Sequence, residues 1–250
     1  MDNGLYLEII ACSVEDAIAA EEGGADRIEL ISNYEVGGLT PTLDLVDQVL
    51  AKVRIPVRVM LRDVESFFVT DEKSREQLCQ KARQLAELPI DGLVLGFLRE
   101  NASSGLAEID LELLERLLAC APELSATFHR ASESLPDPGE AIELLRPFPQ
   151  IDTLLTSGGP EHWSQKVDRL SDWVRRARAH HPPRTILVGG GVYEEAISIL
   201  RPATPLHAYH IGQAVREDRR IDRPVIADRV RDIAALLLTA GPRLPGPDCR

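Results

Sequence analysis

Charged side chains interrupt several short apolar runs of the chain, where they could form a catalytic or a metal-binding site. Glu8 and Glu29 each lie inside a run otherwise made mainly of leucine and isoleucine. A buried carboxylate needs a cation, a metal ion or several hydrogen-bond donors, because desolvation otherwise raises its pKa. Arg27, Arg62 and Arg130 are the candidate partners. Two interpretations stay open: a Glu–Arg network that stabilises the fold, or a carboxylate pair for acid–base or metal chemistry.

Two histidines, His129 and His210, end two of the later apolar runs. A single histidine in a strand is more often a core residue whose hydrogen bonds are satisfied, but two of them facing two glutamates favour a functional site. Imidazole and carboxylate ligands suit Zn, Mn or Fe better than Cu(I). The predicted catalytic residues are Glu8, Glu29, Arg62, His129, Arg130 and His210.

A triple glycine follows the seventh apolar run and a single glycine follows the eighth. Phosphate-binding barrels have this arrangement, because glycine lets backbone N–H groups approach an anion beside a helix N-terminus. Tight strand–helix turns need glycine as well, so turn geometry alone remains an equal alternative. The predicted ligand-binding residues are Arg27, Ser32, Asn33, Thr156, Ser157, Gly189, Gly190, Gly191 and Gly212.

Eight apolar runs alternate with helix-like stretches along the chain, and these stretches lie at about 13–24, 40–52, 71–88, 111–121, 138–145, 163–180, 194–200 and 224–238. The runs lie at 5–10, 27–31, 56–62, 93–96, 126–130, 153–157, 186–188 and 208–212. Parallel strands that are buried on both faces have such continuous apolar sequences, and βα alternation implies right-handed crossovers. The sequence therefore predicts an α/β protein, a single-domain (β/α)8 barrel of the TIM type over 1–238. Its polar residues would gather at the C-terminal mouth, where this fold places its chemistry.

Residues outside the alternating strands and helices form long loops and a C-terminal segment. The loops at 63–70 and 100–108 are longer than a minimal βα connection, as expected for lids or ligand contacts. Three prolines and two glycines in 239–250 predict a flexible C-terminal tail. Exposed helices around a barrel are compatible with a homo-oligomer, although no feature fixes the number of subunits.

The composition of the chain argues against several classes of binding partner. The net charge of −12 argues against binding to nucleic acid or to an anionic membrane surface, whereas a local positive site can still bind a small anion. No run approaches the roughly 18 apolar residues of a membrane-spanning helix. The first residues also lack a basic segment followed by an apolar one, which favours the cytoplasm. Four cysteines without CxxC spacing predict neither a disulfide framework nor a zinc cluster.

Several motifs, taken in order along the chain, resemble those of the CutC family. They are GGADRIEL at 23–30, GGLTP at 37–41, VMLR at 59–62, TFHRA at 127–131, LTSGG at 155–159 and GGGV at 189–192. The resemblance extends from about residue 5 to 238. It implies a cytoplasmic TIM-type barrel described as a copper homeostasis protein, with copper as the implied metal and no defined reaction.

The resemblance also implies cysteines at two positions where this chain has Ile10 and Ile31. Because Cu(I) prefers thiolate or thioether ligands, the isoleucines remove the most obvious copper donors. Two hypotheses follow. One is a CutC-like copper homeostasis protein that captures a metal ion at the barrel mouth, with copper or a divalent metal as the ion. The other is an isomerase, lyase or hydrolase that performs acid–base chemistry on a small anionic or phosphorylated metabolite.

Overall fold

The computed structural model describes residues 5–241, which form a closed barrel of eight parallel strands wrapped by helices. The barrel strands are β1 (Tyr6–Ala11), β2 (Arg27–Leu30), β3 (Val57–Met60), β4 (Gly92–Leu95), β7 (Ser125–Phe128), β8 (Ile151–Thr156), β9 (Thr185–Val188) and β10 (Ala208–Ile211). Around the barrel they follow the order β1-β10-β9-β8-β7-β4-β3-β2, and β2 closes onto β1. The prediction of a (β/α)8 barrel is confirmed.

The helices begin close to the predicted positions because capping residues precede them. They are α1 (Val14–Glu22), α2 (Leu43–Leu50), α3 (Glu72–Ala86), α4 (Leu111–Cys120), α5 (Ala141–Leu144), α6 (Val167–Arg178), α7 (Glu194–Ala203) and α8 (Ala227–Thr239). Ser13, Thr42, Asp71 and Asp110 each accept a hydrogen bond from a backbone N–H of the first turn. Within residues 5–241 no helix is both long enough and apolar enough to cross a bilayer.

Two segments differ in detail from the expectation. The predicted loop at 100–108 is largely an antiparallel hairpin of β5 (Leu98–Glu100) and β6 (Ala107–Ile109). The fifth helix is shortened to α5, which a 3-10 turn at Pro138–Glu140 precedes. Most of the predicted tail, the segment 242–250 with Cys249, lies outside the described residues.

Successive side chains of a barrel strand pack into different hydrophobic clusters, one outside and one inside the barrel. In β1, Leu7, Ile9 and Ala11 pack into the main core between barrel and helices, while Ile10 joins a small cluster that also contains Ile31. Because successive side chains of a strand point to opposite faces, Glu8 shares the inner face of the barrel with Ile10. The fold therefore places a carboxylate inside the barrel, where only neighbouring strands can supply its partners.

Candidate functional site

A cavity of about 620 Å³ opens at the C-terminal ends of the barrel strands. Its polar lining includes Glu29, Tyr34, Arg62, His129, Arg130, Glu133, His210 and Gln213. Its apolar lining includes Ile10, Ile31, Met60, Phe67, Leu155 and Val192. Five of the six predicted catalytic residues thus meet at one cavity, and the sixth, Glu8, lies directly beneath it in contact with His210.

Glu8 is fully buried and has both carboxylate oxygens occupied. The register of the strands sets it opposite Arg27 on β2 and opposite His210 on β10. Arg27 Nε donates to Oε2 at 2.5 Å, and His210 Nδ1 donates to Oε1 at 2.7 Å. Burial alone would raise the Glu8 pKa, but the Arg27 charge and the His210 hydrogen bond outweigh it and lower the pKa to about 2. Glu8 is therefore an ionised residue that orients the His210 ring.

The other face of His210 is directed at Glu29. His210 Nε2 lies 3.7 Å from Glu29 Oε2, and Glu29 Oε1 has no hydrogen-bond partner among residues 5–241. Burial raises the pKa of Glu29 to about 7, with the Glu8 charge adding to the rise and His210 opposing it. Burial would lower the pKa of His210, but Glu29 and Glu8 outweigh this and raise it. Glu29 and His210 therefore compete for a proton near neutral pH.

His129 lies apart from this cluster and is a neutral hydrogen-bond donor. Its Nδ1 accepts the backbone N–H of Ala131 at 3.1 Å, so the ring proton resides on Nε2, which has no partner among the described residues. Burial is the main cause that lowers the pKa of His129 to about 3, and the Arg62 charge adds to it. The Phe67 ring packs 5.0 Å from the imidazole. His129 can thus donate one hydrogen bond to a ligand in the cavity.

The two arginines of the cavity differ in whether their guanidinium groups are paired with a carboxylate. Arg62 donates through Nη2 to the Val36 carbonyl at 2.7 Å and lies over the Phe67 ring, whereas its Nε has no partner among residues 5–241. Arg130 is paired with Glu133 at 2.6 Å and its side chain is 47% exposed. Glu133 was not predicted from the sequence, since a carboxylate in the short 3-10 helix Arg130–Ser134 carries no periodic signal. Arg62 is consequently the more available cation.

Four of the predicted ligand-binding residues do not line the cavity. Thr156 Oγ1 and the Ser157 N–H both donate to Glu133, at 3.2 and 2.5 Å, and neither residue lines the cavity. Ser32 donates to two backbone carbonyls of the following loop, and Asn33 donates to an exposed glutamate. The structure therefore does not bring these four residues to the cavity.

Arg27 faces away from the mouth. It lines a second cavity of about 370 Å³ that also includes Arg58, Asp91 and Asp152. Arg58 donates to Asp91 at 2.8 Å and to Asp152 at 2.6 Å. Glu8 and Arg27 consequently link a charged network at the far end of the barrel to His210 at the mouth.

The triple glycine at the mouth is required by backbone geometry at Gly190 and Gly191 and by close packing at Gly189. Gly190 and Gly191 both have φ of +80°, in the left-handed region, and together with Gly212 they line the cavity. A Cβ on Gly189 would lie 2.9 Å from the His210 ring. Turn geometry and packing thus account for the triple glycine, and an anion-binding role stays a prediction.

We expect Gly190→Ala and Gly191→Ala each to lower the free energy of unfolding by about 1–2 kcal/mol, the cost of a left-handed non-glycine residue. A Cβ at 190 would lie 2.9 Å from the Arg130 guanidinium, whereas a Cβ at 191 would meet nothing within 4 Å. Burial raises the Glu133 pKa, but Arg130 helps to hold it below its ordinary value. Displacing Arg130 should raise the Glu133 pKa in Gly190→Ala alone, as measured by NMR titration of carboxyl groups. An equal Glu133 pKa in both variants would contradict this contact.

The donor atoms at the mouth do not fit Cu(I). Glu8, Glu29 and His210 each offer one ligand atom, and these atoms lie within 4.8 Å of one another. Both oxygens of Glu8 already accept hydrogen bonds, so a metal would have to displace a buried partner. The remaining donors are a carboxylate and an imidazole, which suit harder divalent ions. The Met60 thioether is the one sulfur donor that lines the cavity within the described part of the chain.

Thiols do not supply the missing ligands at the mouth. Ile10 and Ile31 line the cavity at the two positions where the family resemblance implies cysteine. Cys12 does not line it, and its sulfur is contacted by Arg216 Nη2 at 3.5 Å. Burial raises the pKa of Cys12 to about 11, so it stays protonated at neutral pH.

The fold and this site define a (β/α)8 barrel protein with a charged cavity at the C-terminal ends of its strands. A model of the CutC family matches residues 5–215. The CutC family protein of Xylella fastidiosa is 32% identical over 244 residues, 92% of this chain and 88% of the relative. The human copper homeostasis protein cutC homolog is 32% identical over 216 residues, 86% of this chain and 76% of the relative. The chain belongs to the CutC family.

A solved structure agrees with this membership. The crystal structure of a CutC from Streptococcus agalactiae superposes with a TM-score of 0.72 at 27% identity, covering 87% of this chain and 99% of that chain. The family resemblance inferred from the sequence motifs is therefore confirmed.

Proposed function

We propose that the chain binds a small anionic organic molecule in the barrel mouth and moves a proton on it. We further propose that it serves, in the cytoplasm, the copper homeostasis for which its relatives are named. The observation that carries the proposal is the buried Glu29 carboxyl at the cavity, which lies beside His210 Nε2 and whose Oε1 has no partner among residues 5–241. Groups whose pKa values are shifted toward neutrality by burial and neighbours are typical acid–base catalysts.

Each residue of the mouth has a distinct part in this proposal. Glu8 keeps the His210 ring oriented and favours its protonated form through a 2.7 Å hydrogen bond. Glu29 exchanges a proton with the ligand, and His210 stabilises the carboxylate that remains when the proton has left. Arg62 pairs with the anionic group of the ligand, and His129 Nε2 donates to an uncharged oxygen. The low polarity of the buried site strengthens each of these interactions.

The lining also restricts the kind of ligand. One wall is apolar, with Ile10, Ile31 and Met60 close together. The Arg62 guanidinium supplies a positive charge, and its Nε–H has no partner within the described part of the chain. A small phosphate or carboxylate that carries a carbonyl or hydroxyl group and a short apolar segment satisfies both features. This composition supports an organic anion better than it supports Cu(I).

We expect Arg62→Ala to weaken binding of such an anion by at least about tenfold, because hydrogen bonds to charged groups contribute roughly 1.5–3 kcal/mol. A thermal-shift screen would compare sugar phosphates, small oxo- and hydroxy-acids and inorganic phosphate with Cu(I), Cu(II), Zn and Mn. Arg99→Ala is the matched control, since Arg99 is exposed and pairs with Glu108 outside the cavity. Anions that stabilise the wild type and Arg62→Ala equally, or stabilisation by metal ions alone, would refute the proposal.

The proposed proton transfer can be tested separately with any carbonyl compound that binds to the protein. Incubation in D₂O with NMR detection should show exchange of the proton next to the carbonyl with the wild type. Exchange should fall by about two orders of magnitude or more in Glu29→Gln, which cannot accept the proton. Unchanged exchange in Glu29→Gln would remove Glu29 from this role.

A further inference from the structure

Two cysteines that are 41 positions apart lie on the neighbouring helices α3 and α4, and neither of them lines the cavity at the mouth. Helices α3 and α4 pack side by side, and Arg116 of α4 pairs with Glu72 at 2.8 Å and with Glu76 at 3.6 Å on α3. About one helical turn further along each helix come Cys79, three residues after Glu76, and Cys120, four residues after Arg116. The parallel course of the two helices therefore brings the two thiols near each other, and the Cys120 thiol contributes to the raised pKa of Cys79.

The two cysteines differ in their exposure to solvent, and positively charged side chains lie near both of them. Cys79 is 2% exposed and belongs to the main core, whereas Cys120 is half-buried and can be reached from solvent. Burial, followed by the neighbouring Cys120 thiol, raises the pKa of Cys79, while the Arg116 charge opposes the rise. Arg83 of α3 also lies close to both thiols. The pair thus lies close to two guanidinium groups, and its buried member, Cys79, is protonated at neutral pH.

We propose that Cys79 and Cys120 bind one Cu(I) ion as a two-coordinate dithiolate site between α3 and α4. Thiolates are the preferred ligands of this soft ion. On binding, the two S–H protons are released and two Cu–S bonds form, while the copper stays in the +1 state. The complex carries one negative charge, which Arg83 and Arg116 offset.

The geometry favours Cu(I) over zinc at this position. Structural zinc takes four ligands in a tetrahedron. Among residues 5–241, the only cluster of three or more His, Cys, Asp or Glu ligand atoms is the one at the mouth, so no third side chain of these types completes a site at the cysteine pair. The pair is separate from the mouth, and the proposal does not depend on the function proposed for that cavity.

The test is an anaerobic titration of the full chain with Cu(I), in the presence of a reductant, against the coloured chelator bicinchoninate. We expect one Cu(I) per chain. Cys79→Ser and Cys120→Ser should each weaken binding by more than about 100-fold, since losing a residue that merely supports a metal ligand already costs roughly 10–100-fold. Cys12→Ser and Cys249→Ser are the matched thiol controls and should retain the ion. Zn(II) should not compete.

Several results would overturn the site. Retention of Cu(I) in Cys79→Ser/Cys120→Ser, or an equal loss in Cys12→Ser, would place the copper elsewhere. Glu29→Gln and Arg62→Ala should bind Cu(I) as the wild type does, so failure of the mouth proposal and failure of this one are distinguishable. Circular dichroism checks that each variant is folded, and Cys120→Ser, whose side chain is half-buried, keeps the test valid if Cys79→Ser unfolds. A colorimetric thiol count confirms that the pair is reduced at the start.

Discussion

Glu8→Ala is expected to lower the free energy of unfolding by about 3–5 kcal/mol, the loss typical of removing one partner of a buried ion pair. Glu8 is fully buried and Arg27 is 5% exposed, so the truncation leaves a guanidinium inside the barrel. The nearest remaining carboxylate for Arg27 is Asp91, at 3.8 Å. His210 Nδ1 loses its acceptor as well. Urea unfolding at neutral pH measures the change.

A control variant distinguishes the loss of a buried ion pair from the loss of an exposed one. Asp222→Ala removes a carboxylate that pairs with Arg220 at 2.7 Å, but both side chains are more than half exposed. Its unfolding midpoint should stay within experimental error of the wild type, because water replaces the lost contact. Glu8→Gln keeps the shape of the side chain and should lower the pKa of His210, since the charge that stabilises the imidazolium is gone. A loss in Glu8→Ala no larger than in Asp222→Ala would contradict the buried network.

The barrel could be predicted from the sequence because its signals are local. Strands buried on both faces are apolar throughout, and residues such as Ser13 and Asp71 cap helices whatever the tertiary structure. The prediction was less accurate near Pro138, where Asp137 accepts the Gly139 N–H and holds a short turn in place of the first helical turn. Such side-chain-to-backbone competition depends on small energy differences that residue periodicity does not reveal.

The candidate site could be predicted as a set of residues but not as a network. A glutamate or histidine within an apolar strand stands out, which identified Glu8, Glu29 and His210. Their pairing depends on strand register, which places Glu8 opposite both Arg27 and His210. The contact between Glu133 and Ser157 and the approach of the two cysteines of α3 and α4 join distant parts of the chain. Only the packed structure determines these contacts.

The contribution of Glu29 to thermal stability is expected to fall as the pH rises from 5 to 8. Its pKa in the folded state is raised from the ordinary value of 4.5 to about 7, so the folded state binds the proton more tightly than the unfolded chain. This stabilisation is fully present below about pH 4.5 and is lost as the pH rises through about 7. The raised pKa of His210 acts in the same direction above its ordinary value of 6.5. At 1.36 kcal/mol per pKa unit, the Glu29 contribution is on the order of 3 kcal/mol.

Glu29→Gln should remove most of this dependence, since an amide stays neutral at every pH. Differential scanning calorimetry at pH 5, 6, 7 and 8 would show the variant gaining relative to the wild type as the pH rises, by about 6–10 °C in Tm at pH 8. Glu65→Gln is the matched control, because Glu65 lines the same cavity and is exposed. The Tm of Glu65→Gln should change with pH as the Tm of the wild type does. Parallel slopes for the wild type and Glu29→Gln would mean that Glu29 is ionised throughout, and the proton-transfer role proposed for it would lose its physical basis.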